Sequence, residues 1–269
     1  MLVSKLLSNS EIWYNLSKDQ YIKLERMDEL FFRRILNLPI SVPKESLYVE
    51  FGCQPLKYLI KIRRLMYLWH ILHLEKKEIV YKFYTAQKLA SCKGDWVEQV
   101  QKDIEDLDLQ LSDQQIENIP KEKFREIVKR KTKMLAVKHL SELKLKHSKS
   151  KNLDTSKVKT AEYLLSKNLK KEEMQTLFKL RSRMINVKLN FKSSHRENIW
   201  CQTCHLFPES QQHLTVCPTL KSRTKHLVDF NQLDHNMIFQ KLERQEKFAK
   251  NVHLLLKARE EMIISETEQ

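Results

Sequence analysis

The sequence predicts an all-α chain, a multi-helix array with a small cysteine-rich module near the carboxyl end. Three observations predict it. Only Gly52 and Gly94 are glycines and prolines number six in 269 residues, too few for the tight turns that all-β folds need. Apolar residues recur at helical spacing between proline and glycine stops. Four Cys and His side chains then crowd into residues 201–217, where that pattern lapses. Hydrophobic residues make up 41% and charged residues 31% of the chain, enough for a real core in a water-exposed protein.

The first helix is predicted to start in Leu16-Ser17-Lys18-Asp19-Gln20-Tyr21. Ser17 caps it, Gln20 completes a capping box and Leu16 staples to Tyr21. Leu24, Met27 or Asp28, Phe31, Ile35 and Leu38 continue the stripe until Pro39 stops it. Pro43 opens a short helix that Gly52 closes. Pro55 opens another, whose Leu56, Leu59, Ile60, Ile62, Met66 and Trp69 predict extensive burial. An amphipathic run over 76–91 is broken by Gly94, and Asp95 with Glu98 starts a helix around Trp96, Val100, Ile104 and Leu107. Asp103, Glu105, Asp106 and Asp108 read as its solvated end.

Residues 109–120 read as a polar connection ending in Pro120. A long basic helix follows over 121–147, with Phe124, Val128, Leu135, Leu140 and Leu143 on its buried side. Residues 147–157 are polar and read as a linker. Two helices are expected near 157–167 and 170–189, and two more over 221–264 with a break near Asn231–Asp234. The resulting domains are an N-terminal helical part, 1–118; a basic helical part, 119–192; the cysteine-rich module, 193–220; and a helical tail, 221–269.

The net charge of +15 is localised. Residues 121–200 hold 23 Lys and Arg against 8 Asp and Glu, and the rest of the chain holds 26 of each sign. A surplus confined to one stretch points to a polyanion-facing surface. Lys129, Arg130, Lys131, Lys133 and Lys138 on the long helix, with Arg181 and Arg183 downstream, are the expected phosphate contacts. The competing reading is an ordinary solvated helix face. KRKTK, 129–133, also has the form of a nuclear import signal. No apolar run reaches the ~18 residues of a membrane span, and the start is too short in apolar residues for a secretory signal. The expected location is intracellular, the nucleus before the cytoplasm, with no membrane partner.

The spacing of Cys201, Cys204, His213 and Cys217 is C-x2-C-x8-H-x3-C. Two thiolates two residues apart face one cation from a tight turn, and the His and Cys project inward from the next. Three thiolates and an imidazole match tetrahedral Zn²⁺. Four protein ligands leave no open position, so the predicted ion is structural. His205, next to Cys204, is poorly placed to compete. Leu206, Phe207, Leu214 and Val216 are expected to form a miniature core beside the ion, and Trp200 to cover it. The odd count of five cysteines argues against a disulfide framework; Cys53 and Cys92 stand alone. Phe178 and Phe191 can stack on bases, although aromatics at helical spacing are more often core.

No constellation of catalytic residues stands out. The chain has no Asp-Asp pair, no G-x-x-x-x-G-K-[ST] loop, no G-x-S-x-G elbow and no H-E-x-x-H helix. His70 and His73 sit three apart, with no acidic or thiol partner nearby in sequence. No small-molecule substrate is expected.

The run LLSNSEIWYNLSKDQYIKLERMDELFFRRIL, 6–36, resembles the region just after the catalytic palm in reverse transcriptases of non-LTR retrotransposons. The shared features are Glu11-Ile12-Trp13 before a helix ending in Arg33 to Leu36, with Asn9 where that family often has Gly. LFKLRSRM, 177–184, and the C-x2-C-x8-H-x3-C-P-x-L of 201–220 are similar to downstream parts of the same polyproteins, in the same order. The resemblance implies a thumb-like helical region followed by a CCHC zinc knuckle, a region that grips template, primer or element RNA. It also places fingers and palm upstream of Met1, so the metal-binding aspartates of the polymerase are not expected here. The expected function is therefore non-catalytic binding of RNA or DNA. One alternative is a piece of an active RNA-directed DNA polymerase whose palm is missing; another is a helical scaffold for protein partners.

Overall fold

The computed structural model describes residues 5–150, 153–156, 158–191, 198–229, 231, 233 and 241–267. Among them are eleven α-helices and no strand: α1 (Lys18–Ile35), α2 (Lys44–Phe51), α3 (Leu56–Leu72), α4 (Ile79–Ala90), α5 (Trp96–Asp106), α6 (Asp113–Glu117), α7 (Lys121–Lys146), α8 (Lys171–Arg181), α9 (Gln211–Val216), α10 (Pro218–Thr224) and α11 (Leu242–Thr267). None of them is long and apolar enough to cross a membrane. The chain divides into two compact units, Met1–Phe31 with Gln54–Glu142 and Phe32–Cys53 with Leu143–Gln269.

In the first unit the expected start of α1 is realised in full. The Gln20 N–H donates to Ser17 Oγ at 3.2 Å and the Ser17 N–H donates to Gln20 Oε1 at 2.7 Å. Leu16 and Tyr21 pack together with buried Leu7, Leu56 and Ile60. Asn9 is left-handed, φ 55°, a conformation that asparagine tolerates better than most residues. The main core joins Leu65, Leu68 and Ile71 of α3 to Trp96 and Val100 of α5, Ile116 of α6, and Phe124 and Val128 of α7. α4 ends earlier than Gly94, at Ser91, which takes the left-handed cap conformation itself with φ 48°. Asp95 then caps α5 by accepting the Glu98 N–H at 2.8 Å.

Two expectations in this unit are corrected. Residues 109–120 are more than a polar connection: they hold α6, opened by a Ser112–Gln115 capping box, and bury Leu109 and Ile116. Nor is the acidic cluster wholly solvated. Asp103 is 0% exposed and accepts from Lys61 Nζ and Arg64 Nε, each at 2.7 Å. Burial pulls the Lys61 ammonium down, but Asp103 and Asp106 outweigh it and hold it above its ordinary 10.5. On α7 the buried residues fall at every fourth position: Phe124, Val128, Thr132, Ala136 and Leu140. Thr132 is accommodated there because its hydroxyl donates to the Val128 carbonyl at 2.7 Å.

In the second unit, α1 stops before Pro39 because Asn37 turns left-handed, φ 50°. The Leu38 N–H then donates to the Arg33 carbonyl at 2.8 Å, the 6→1 bond of a Schellman cap. Gly52 closes α2 with φ 65°. A Cβ there would lie 2.0 Å from the Thr160 backbone nitrogen, so both conformation and close approach require glycine. Phe51 stacks on Phe32 with 4.8 Å between ring centroids. Residues 157–167 hold a 3₁₀ turn, Glu162–Leu165, in place of the expected helix. α8 ends at Arg181, well short of 189, because Arg183 is left-handed, φ 53°, and Met184 N–H returns to the Lys179 carbonyl at 2.6 Å. α11 buries Phe248, Ala249, Val252, Leu255 and Ala258 and packs on α8. Half of the expected break near Asn231–Asp234 lies outside the described residues, since 232 and 234 are not among them.

Candidate metal centre

The cysteine-rich module begins as a tight hairpin. The Glu209 N–H donates to the Ile199 carbonyl at 2.7 Å and the Cys201 N–H to the Phe207 carbonyl at 2.8 Å, with Trp200 and Pro208 paired between them. The chain reverses through Thr203 and Cys204, and the His205 N–H closes the turn onto the Cys201 carbonyl at 3.0 Å. Ser210 then caps α9 by accepting the His213 N–H at 2.9 Å, which sets His213 one turn into the helix. Pro218 stands in the first turn of α10, directly after Cys217, where its missing N–H costs nothing.

These elements bring the four expected residues together. One ligand atom from each of Cys201, Cys204, His213 and Cys217 lies within 4.8 Å of all the others. The Cys201 and Cys217 sulfurs are 4.0 Å apart, and Cys204 Sγ is 3.3 Å from His213 Nε2. Metal–sulfur bonds of about 2.3 Å in a tetrahedron give edges of about 3.8 Å, so the donor set and its size suit one central ion. Cys201 and Cys217 are fully buried. Thr203 Oγ1 sits 3.2 Å from the Cys201 sulfur and 3.4 Å from that of Cys217. Hydrogen bonding with Cys217 holds the Cys201 thiol well below the ordinary thiol range, while the same pairing raises Cys217. His205 stays outside the cluster, exposed and left-handed with φ 54°.

The surroundings differ from expectation. Trp200 directly precedes Cys201 on the hairpin arm, where neighbouring side chains alternate in direction. It is 49% exposed. The miniature core is reduced to Leu214, with Leu206, Phe207 and Val216 exposed; Phe207 approaches only the His213 ring, 5.5 Å between centroids. What braces the module is polar. Glu209 is buried and accepts from the Lys188 N–H at 3.0 Å, the Gln202 N–H at 3.2 Å and Arg259 Nη2 of α11 at 2.6 Å. Gln211 donates to the Leu180 carbonyl at 3.1 Å. Nothing in the local sequence marks Glu209 or Arg259, whose pairing spans fifty positions.

The expected phosphate contacts fall into two groups. Lys129, Arg130, Lys133 and Lys138 are exposed on α7, and none of them forms an ion pair among the described residues. The other three are engaged or partly covered. Lys131 pairs with Asp108 at 3.2 Å. Arg181 is half-buried against the buried Glu50, its Nε 2.9 Å from Oε1, with the Tyr163 ring 5.6 Å away. Arg183 is half-buried. Of the two candidate stacking rings, Phe178 is fully buried core. Phe191 lies under Lys149 Nζ, 4.1 Å from its centroid. His73 stacks on Trp69, 3.6 Å between centroids.

No protein-family model matches the chain, and neither the curated proteins nor the solved structures include a match.

Proposed function

We propose that the protein binds RNA or DNA without catalysing a reaction on it, and that a structural Zn²⁺ holds its cysteine-rich module. The carrying observation is the set of exposed, unpaired cations on α7, Lys129, Arg130, Lys133 and Lys138. Arg181 leaves the contact set because Glu50 already neutralises it inside the fold, and Lys131 is half-committed to Asp108. Cations of this kind neutralise phosphates and release counterions, which gives sequence-tolerant and salt-sensitive affinity.

Zinc is the proposed ion because three thiolates and an imidazole favour it over harder cations. With all four positions taken by protein, the ion holds the hairpin, α9 and α10 together; it does not activate water. The proposed origin is the region following the palm of a non-LTR retrotransposon reverse transcriptase. Asn9 adds support: it holds the left-handed conformation that a glycine at that position of the family would adopt readily. A protein-contact reading has its own observation, the exposed Ile79, Phe83 and Leu89 of α4.

The test is fluorescence polarisation with RNA and DNA oligonucleotides across a salt series. The expected result is log affinity falling linearly with log salt, and a shallower slope after joint substitution of Lys129, Arg130, Lys133 and Lys138 by Ala, by roughly 0.7 to 0.9 per lost phosphate contact. Salt-independent binding, or none in dilute buffer, overturns the reading.

A further inference from the structure

We infer that Glu209 and Arg259 are positioning residues for the metal centre and tie its occupancy to the seating of the carboxyl-terminal part of α11. The inference rests on the reading above that the cluster holds a divalent ion.

Gln202 lies inside the C-x2-C turn, between two of the four ligands, and its orientation sets how both sulfurs point. Its N–H donates to Glu209 Oε1 at 3.2 Å and its Oε1 accepts from Arg259 Nη2 at 2.9 Å. Arg259 Nη2 also donates to Glu209 Oε1 at 2.6 Å, so one guanidinium grips the turn and the carboxylate behind it. Glu209 closes the hairpin through its own N–H, and its second carboxylate oxygen accepts the Lys188 N–H at 3.0 Å. Both charges are buried, with side chains 7% and 1% exposed for Arg259 and Glu209. Among the described residues Arg259 Nε has no hydrogen-bond partner, and the head group's hydrogen bonds run through Nη2.

A buried pair is stable only while both partners stay in place. If the C-x2-C turn loosens, Gln202 and Glu209 move, and Arg259 loses the reason to be buried. The same linkage runs backwards: an α11 without Arg259 leaves the turn less fixed and the ligands less ready. Groups that orient metal ligands typically change affinity by about 10- to 100-fold when removed.

The experiment uses the full chain. Zn²⁺ affinity is measured by competition with a chromophoric chelator, and ligand geometry from the d–d bands of the Co²⁺ form. E209Q and R259M are expected to weaken Zn²⁺ binding about 10- to 100-fold and to broaden or shift the Co²⁺ bands, and R259K to lose less. The paired variant E209Q/R259M should lose less than the two single losses combined, since the two residues share one contact. V252A, which trims a buried residue of the same helix away from the pair, should lower stability and leave Zn²⁺ affinity within twofold or so. In the wild-type chain, removing the ion should speed hydrogen exchange over 256–265. Affinity unchanged in E209Q and R259M, or V252A weakening the ion as much as R259M, overturns the inference and leaves the metal reading standing. A wild-type chain that takes up neither ion overturns the metal reading, and this inference falls with it.

Discussion

The two units stabilise themselves by different means. In the first, helices of 11, 17 and 26 residues share one apolar core, and the Arg64–Asp103 pair is enclosed beside it. In the second, the cysteine-rich module relies on helices of six and seven residues, which do not persist alone in water. Its apolar side chains around the cluster are mostly exposed. On the proposed metal reading, four ligand atoms and the Glu209–Arg259 pair would do there what Leu65, Leu68 and Phe124 do in the first unit. The charge differs as well. The first unit holds 22 Lys and Arg against 18 Asp and Glu, the second 27 against 16. A stretch whose apolar side chains mostly stay exposed is held by polar cross-links instead.

Metal removal gives the largest expected effect and the sharpest separation. Structural zinc contributes on the order of 10–16 kcal/mol to small modules. Stringent chelation should therefore abolish exchange protection over 198–229 while α3, α5 and α7 keep theirs. Equal loss in both units breaks the comparison. The reciprocal probe is Asp103→Ala, which leaves the Arg64 guanidinium buried without its carboxylate. The expected cost is about 3–5 kcal/mol, read as a lower denaturation midpoint of the first unit with Zn²⁺ affinity unaltered.

Solution pH sharpens the contrast further. Burial, then the hydrogen bond to Asp113, pushes the Tyr84 phenol far above its ordinary 10.0. Burial also raises Tyr58, with Glu25 contributing. A group raised in the folded state contributes stability that is complete below its unfolded value and is lost as pH climbs past it. Tyr84, Tyr58 and Lys61 should thus weaken the first unit above about pH 10. If the second unit holds the proposed ion, protons compete with it for its ligands, so an acid limb should appear there and vanish when the ion is chelated beforehand. Thermal midpoints across pH 5–11, with and without chelator, check both signs. The smallest effect is Ser112→Ala, which removes the capping box of α6 and should cost the first unit about 1 kcal/mol, read from urea midpoints.

Local signals in the sequence were legible where bonding partners are near in the chain. Ser17 with Gln20, Asp95 with Glu98, Gly52, and the spacing of Cys201, Cys204, His213 and Cys217 all act within seventeen residues or fewer, and each appears in place. The failures are long-range. Asp103 and Arg181 look like solvated charges until Arg64 and Glu50 arrive from 39 and 131 positions away. Charge type alone does not report burial, because a paired ion can be enclosed where a lone one cannot. The end of α8 at Arg181 escapes the sequence for another reason: a non-glycine residue, Arg183, takes the left-handed conformation just past the helix.

The every-fourth-residue burial along α7 has a geometric outcome. Four residues advance about 40° beyond a full turn, so from Phe124 to Leu140 the covered flank swings through about 160°. The wetted flank swings with it, and Lys129 and Lys138 project in roughly opposite directions. A stiff rod laid along the helix meets one or the other. A supple strand that coils around the helix meets both, so the expected preference is for unpaired strands over duplexes of equal length.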